Sequence, residues 1–282
     1  MAGAGLLEIK RRIRSIRNTQ KITKAMGLVA TVKVRKLKER SDSSNPFYEV
    51  FNEAIKNIAL SIDLNDSIYF RQNNSDTDVY IVITSDSGLC GSYNANVINK
   101  ALEHMYGKKV LLITVGERGK SFFTRNKYET LAEFVEVGDT PSLKDAQEIL
   151  RPALEVYREG KVRNIYIVYT RFYSPVKQEV EVLKLLPVER PGETSRSEME
   201  FDPSPDSVLD YAIPSFLRAA VFNALTNSTT SEYSIRMTAM DAATKNAGDI
   251  LDKLNLEYNR ARQSSITQEI TEIVSGAEAL KD

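Results

Sequence analysis

Ile9-Lys10-Arg11-Arg12-Ile13-Arg14-Ser15-Ile16-Arg17-Asn18-Thr19-Gln20-Lys21-Ile22-Thr23-Lys24-Ala25-Met26-Gly27 begins a pattern that decides the architecture. Ile9, Ile13, Ile16, Gln20, Thr23, Gly27, Ala30, Val34 and Leu37 recur in alternating steps of four and three. That spacing keeps one stripe of a helix against a partner helix, which is the period of a coiled coil. Past its first turn, the stretch 4–60 holds one proline, Pro46, and one glycine, Gly27. A helix of that length reaches about 75–85 Å, far beyond an ordinary globular helix.

The other end of the chain supplies the partner. No proline interrupts residues 215–282, and the glycines there are Gly248 and Gly276. Met240, Thr244, Ala247, Leu251, Leu254, Tyr258, Ala261 and Ser265 keep the same four–three alternation. The pattern then slips by one residue to Ile266, Ile270, Ile273, Ala277 and Leu280, a shift expected to change the local winding of the pair. Small and polar seam residues (Thr23, Gly27, Thr244, Ala247) predict close backbone approach rather than a uniform leucine zipper.

The middle follows a different period. Residues 79–84, 110–115 and 164–170 are continuous β-rich apolar runs, and 179–186 alternates with period two like an edge strand. Helical segments at 94–105 and 142–159 lie between them, the second opening with Ser142 as N-cap and Asp145 in the first turn. Strands alternating with helices predict an α/β domain on a largely parallel, Rossmann-like sheet. The expected organisation is an N-terminal coiled-coil helix at 1–62, a central α/β domain at 63–207 and a C-terminal coiled-coil helix at 208–282. The end helices pair as an antiparallel coiled coil if the inserted domain returns the chain near its exit.

Charge separates the parts further. Residues 8–40 carry twelve Lys or Arg against Glu8 and Glu39, a net of +10 in a chain whose total is zero. The remainder is therefore −10, and the basic helix is a surface suited to an acidic partner. Cys90 is the single cysteine and His104 the single histidine, so an internal disulfide, a cysteine-based zinc site and most metal cages are excluded. No uninterrupted apolar run approaches the roughly 20 residues of a membrane span. The Arg-rich start runs on past Arg40 without a cleavable break, and it reads as mature protein rather than a leader.

Three features bear on chemistry. Ser85-Asp86-Ser87-Gly88-Leu89-Cys90-Gly91-Ser92-Tyr93-Asn94 follows the first strand, where a glycine-rich turn can cradle phosphate. It lacks the spacing of a dinucleotide turn and the Gly-Lys-Ser/Thr of a P-loop, so a tight structural turn is the better reading. Gly116-Glu117-Arg118-Gly119 after the second strand reads the same way. Asp76, Asp78, Asp86, Asp202 and Asp206 form no metal-ligand spacing, Cys90 has no partner for catalysis, and no catalytic constellation emerges.

Two segments look like signatures. Residues 12–26, Arg-Ile-Arg-Ser-Ile-Arg-Asn-Thr-Gln-Lys-Ile-Thr-Lys-Ala-Met, form the first; residues 237–247 and 258–277, through Arg262-Gln263-Ser264-Ser265-Ile266-Thr267-Gln268-Glu269, form the second. Both resemble the terminal helices of gamma subunits of F-type ATP synthases, of the bacterial type, at the same ends of a chain of similar size. The turn at 85–94, Val137-Gly138-Asp139 and Phe201-Asp202-Pro203 are similar to that family's central domain. The resemblance implies a non-catalytic rotor shaft without cofactor or metal, turned by proton or sodium flow. Its implied partners are a ring of three alpha and three beta subunits, the epsilon subunit and the c-ring. The implied location is peripheral, on the cytoplasmic face of the bacterial cell membrane, through the complex. It also implies that Lys24, Met26, Arg236, Arg262, Gln263, Thr267 and Glu269 contact or support the alpha/beta ring. Ser87 departs from a common Arg of the family, Tyr233 from a common His, and 27–40 is less alanine-rich than usual. The readings that compete are a nucleotide-binding α/β enzyme with helical arms and a basic coiled-coil protein that binds nucleic acid.

Overall fold

The computed structural model describes residues 2–61, 67–189 and 205–279. Phe201-Asp202-Pro203 and Leu280 lie outside the described residues. Ten elements follow in order: α1 (Ala2–Ser61), β1 (Thr77–Ile83), α2 (Tyr93–Met105), β2 (Lys109–Val115), α3 (Glu117–Arg125), β3 (Thr130–Phe134), α4 (Leu143–Arg158), β4 (Asn164–Phe172), β5 (Gln178–Leu186) and α5 (Pro205–Ala279). Contacts group them into two compact units. One takes residues up to Ala30 together with those from Met237 on; the other is Thr31–Arg236.

In the second unit the strands form one sheet in the order β3-β2-β1-β4-β5, the first four parallel and β5 antiparallel on β4. The run at 79–84 reads as continuously apolar because both of its faces are covered. Val79, Ile81 and Ile83 face one cluster, with Ile149, Leu150 and Ala153 of α4 and Ile213, Leu217 and Val221 of α5. Tyr80 and Val82 face the other, with Tyr93, Val97 and Ala101 of α2 and Phe123 of α3. At the head of α4, Ser142 and Asp145 form the reciprocal capping box that their spacing predicts. Two elements escaped the sequence reading: α3, nine residues with Gly119 inside, and β3, five residues at the sheet edge, four half-buried and Glu133 exposed.

The α1 seam runs beyond Leu37. Ser41 and Ile55 are buried and Ser44, Tyr48, Phe51 and Ile58 half-buried, in unbroken four–three steps. Tyr48 stacks on Phe216 of α5 at 5.8 Å between ring centres, and Phe51 meets the same ring edge-on.

In the first unit the two helices pair antiparallel. Ile13 packs with Leu251 and Leu254, with Ile9, Ile16 and Tyr258 beside them. Thr244 Oγ1 donates to Thr23 Oγ1 at 2.8 Å, and Gln20 donates to the Thr244 carbonyl at 3.4 Å. A Cβ added to Gly27 would sit 3.4 Å from Met240 Cβ, an ordinary contact distance, so the two helices run close at that level without glycine being required there.

The slip after Ser265 falls where the described pairing of α5 with α1 stops. From Ile13 back to Ala2, where α1 begins, is eleven residues, and eleven residues past Leu254 is Ser265. Residues 266–277 are exposed throughout, so this stretch projects past the described part of α1 and its apolar residues face none of the described residues.

Candidate functional site

A doubly wound sheet binds its ligands at the C-terminal ends of its strands, where the strand order reverses. Here that point lies between β1 and β4, and the chain's own groups fill it. In the loop after β1, the backbone N–H of Ser85 donates to Asn94 Oδ1 at 2.9 Å and Asn94 Nδ2 donates to Ser85 Oγ at 2.7 Å. Asp86 Oδ1 accepts from the N–H of Glu117 at 3.0 Å, at the N-terminus of α3. A carboxylate thus occupies the position where a phosphate would meet a helix dipole. The second glycine turn is equally closed. Gly116 has φ +92°, and a Cβ there would lie 2.3 Å from the Thr84 carbonyl oxygen. That conformation and contact admit only glycine.

Residues 223–236 of α5 cover the remainder. β1 pairs with β4 as far as Val168, leaving Thr170 and Phe172 without a strand on that side. Side chains of α5 take the missing strand's place: Thr170 N–H donates to Ser228 Oγ (3.1 Å), Phe172 N–H donates to Asn227 Oδ1 (3.2 Å), and Ser231 Oγ donates to the Thr170 carbonyl (3.3 Å). This requirement for buried donors and acceptors accounts for Asn227, Ser228 and Ser231 inside a core helix. Asn223 donates instead to Ser44 and Asn45 of α1, and Thr226, Thr229 and Thr230 donate to carbonyls four residues back in α5. Arg236, 4% exposed, donates to Ser87 Oγ at 2.9 Å and to the Gly88 carbonyl at 3.2 Å, and pairs with Glu232 at 2.7 Å. Burial holds the Glu232 carboxyl above its usual range, against the opposing pull of Arg236. Beside them Lys33 and Tyr233 both donate to the Asp139 carboxylate. Burial alone would raise the Asp139 carboxyl, but those two hydrogen bonds together with the charges of Lys33 and Arg236 hold it below its usual range.

What remains open at this edge is a pocket of about 90 Å³ among Ser85, Asp86, Gly116, Gly138, Asp139 and Glu232. Nucleotide-sized sites occupy roughly 300–1,000 Å³, so the crevice is plugged rather than vacant. Tyr233, one departure from the family pattern, carries the Lys33 and Asp139 contacts, and Ser87, the other, receives Arg236.

The remaining implied contact residues lie on the end helices. Lys24, Arg262, Gln263, Thr267 and Glu269 are exposed and Met26 is half-buried. Arg236 stands apart from them, its guanidinium committed to the 85–94 turn. Lys10, Arg11, Arg12, Arg14, Arg17, Lys21 and Lys24 are all exposed, a face of one sign interspersed with exposed Ile22, Leu28 and Val29. On the projecting stretch of α5, Ile266, Ile270, Ile273 and Val274 are 45–70% exposed. Sequence reasoning found both surfaces; it missed the clamp formed by buried Arg236 with Glu232 and, at its outer side, half-buried Lys33 with exposed Asp139. The signal available for it was Val137-Gly138-Asp139, read only as a family likeness.

Comparison with known proteins gives one answer. The family model described as ATP synthase matches residues 5–280. The chain is 50% identical over 283 residues to the ATP synthase gamma chain of Clostridium acetobutylicum, covering 100% of both. It is likewise 50% identical over 283 residues to that of Clostridium novyi, covering 99% of both. Among solved structures it is similar in fold to a chain of the Euglena gracilis mitochondrial ATP synthase (OSCP/F1/c-ring, rotational state 3). The TM-score is 0.76 at 18% identity, over 99% of this chain and 95% of that one.

Proposed function

The chain belongs to the ATP synthase gamma-chain family, and from that premise we propose how it serves as the central-stalk rotor of an F-type ATP synthase. Residues 1–62 and 208–282 are the shaft and 63–207 the foot. The shaft stands in a ring of three alpha and three beta subunits; the foot carries the epsilon subunit and rests on the c-ring, peripheral to the cytoplasmic face of the cell membrane. Ion flow turns the c-ring and shaft together, and the unequal faces of the shaft drive the three beta sites through different affinities. The chemistry belongs to the ring. This chain is non-catalytic and supplies torque and asymmetry.

The observation that carries the reading is full-length identity of 50% to a gamma chain. The geometry suits it. An antiparallel pair resists torsion, the one-sign face of α1 attracts acidic loops, and the projecting apolar tip of α5 fits a hydrophobic bearing. Lys24, Met26, Arg262, Gln263, Thr267 and Glu269 touch the ring in this reading, supported by the exposure of all but half-buried Met26. Arg236 acts from within, holding α5 to the 85–94 turn. The plugged crevice leaves the competing nucleotide-enzyme reading no room at the usual place. Co-expression with alpha and beta subunits is the test: a stable complex forms, and its rotation-coupled ATP hydrolysis depends on this chain. Hydrolysis that is unchanged when the chain is omitted overturns the proposal.

A further inference from the structure

Away from both surfaces above, α4 and α5 of the second unit leave a groove between them. Gln147, Leu150, Arg151, Leu154, Glu155 and Arg158 recur at three- and four-residue steps along one face of α4. Pro214, Ser215 and Arg218 line the α5 side, and Tyr211, 79% exposed, lies one turn earlier on the same face. Leu150, Leu154 and Pro214 make an apolar floor. The groove holds about 260 Å³. That is below the roughly 300–1,000 Å³ of a cofactor site, and it suits one or two inserted side chains.

The charge around this floor runs against the rest of the chain. Outside residues 8–40 the protein carries a net of −10, yet three arginines and one glutamate line the groove. Their internal engagements are weak or neutral among the described residues. Arg151 meets Glu155 only at 4.0 Å, Arg218 donates to the Gln147 amide oxygen at 3.4 Å, and Arg158 donates to the Tyr69 hydroxyl at 2.9 Å. Arginine forks suit carboxylates bidentately, and three of them around an apolar floor are matched by a helix with apolar anchors flanked by acids.

We propose that the α4–α5 groove docks an acidic amphipathic helix of a partner protein, its apolar side chains on Leu150, Leu154 and Pro214 and its carboxylates on Arg151, Arg158 and Arg218. The inference stands apart from the shaft's engagement with the ring and does not depend on it. The test is fluorescence anisotropy on the full chain at about 0.15 M salt. The probe is a fluorescein-labelled helical peptide with leucines at i, i+4 and i+7 and glutamates between them. The control is the same peptide with lysine for each glutamate. The acidic peptide binds at roughly 10–100 µM and the lysine peptide does not. R151E/R218E, both on exposed or half-exposed positions, weakens the acidic peptide by about tenfold or more and gains the lysine peptide, with an unchanged thermal midpoint. Equal binding of both peptides, or affinity indifferent to R151E/R218E, overturns the proposal. So does no binding of the acidic peptide up to millimolar concentration. If phosphatidylglycerol vesicles bind the wild type and lose R151E/R218E while the acidic peptide does not, the groove serves a lipid headgroup and the proposal fails.

Discussion

Between Leu209 and Arg236, α5 buries Asn223, Thr226, Asn227, Ser228, Thr230, Ser231 and Ser234; between Ile266 and Val274 it exposes Ile266, Ile270, Ile273 and Val274. By hydropathy alone the two stretches of one helix would exchange places. The inner stretch is polar because the end of β4 has backbone groups that no strand satisfies, and a buried N–H without a partner costs more than a hydroxyl or amide placed to receive it. The outer stretch carries its apolar residues where none of the described residues covers them, as a surface proposed to meet the ring requires. Burial along a helix therefore follows what each level has to face, not the average character of the segment.

The clamp that holds the inner stretch gives the largest test. R236A leaves Glu232 buried without its cation and the Ser87 and Gly88 oxygens without a donor. It is expected to cost about 3–5 kcal/mol in urea denaturation of the full chain. E232Q in the same background recovers part of that loss, and a double-mutant cycle reads the coupling directly. N227L comes next: it strips Phe172 of its acceptor and the Asn45 side chain of a donor at 2.8 Å, for about 2–3 kcal/mol, although leucine is more apolar than what it replaces. In the outer stretch, I266N/I270N/I273N should change stability by less than about 0.5 kcal/mol while lowering ring-coupled ATP hydrolysis in the assembled complex. A large loss of stability there would break the contrast.

The smallest effect lies at the opposite edge of the sheet. His104 accepts or donates to the Tyr80 hydroxyl at 2.8 Å. Burial, with Lys108 nearby, holds its imidazole below the ordinary value of 6.5. The folded state thus favours neutral His104, and its contribution to stability is complete above about pH 6.5 and lost as pH falls toward the lower folded value. The urea midpoint should drop between about pH 7 and about pH 5. H104Q should flatten that slope, and the difference between the two curves separates it from Glu232, whose raised carboxyl acts in the opposite sense.

The sequence made the coiled-coil period of the ends and the parallel core of the middle plain, because both are written in apolar spacing over many residues. It concealed what depends on single polar positions. Ser41 and Ser44 hid the continuation of the α1 seam, since a hydroxyl on a seam reads as a break although the seam carries on through Tyr48 and Phe51. Gly119 inside nine residues hid α3, and β3 was too short and too half-buried to stand out. The slip at Ser265 was visible, but that it falls where the described pairing with α1 stops was not, because that level can be located only once the register is known. Of the proposed contact residues, the exposed ones were singled out by likeness to a family; the inward turn of Arg236 could not be read that way.

The register of α1 carries one more implication. Its inward positions keep step from Ile9 to Ile58 without a stutter, and each added or removed residue turns everything downstream by about 100°. A one-residue insertion near Asn18 would therefore point the basic face of the helix a quarter-turn or more away while leaving its composition untouched. Changes in the length of α1 are tolerated only in multiples near seven, so the helix acts as a gauge whose increments are heptads, and natural variation in shaft length should be found at its ends rather than in its middle.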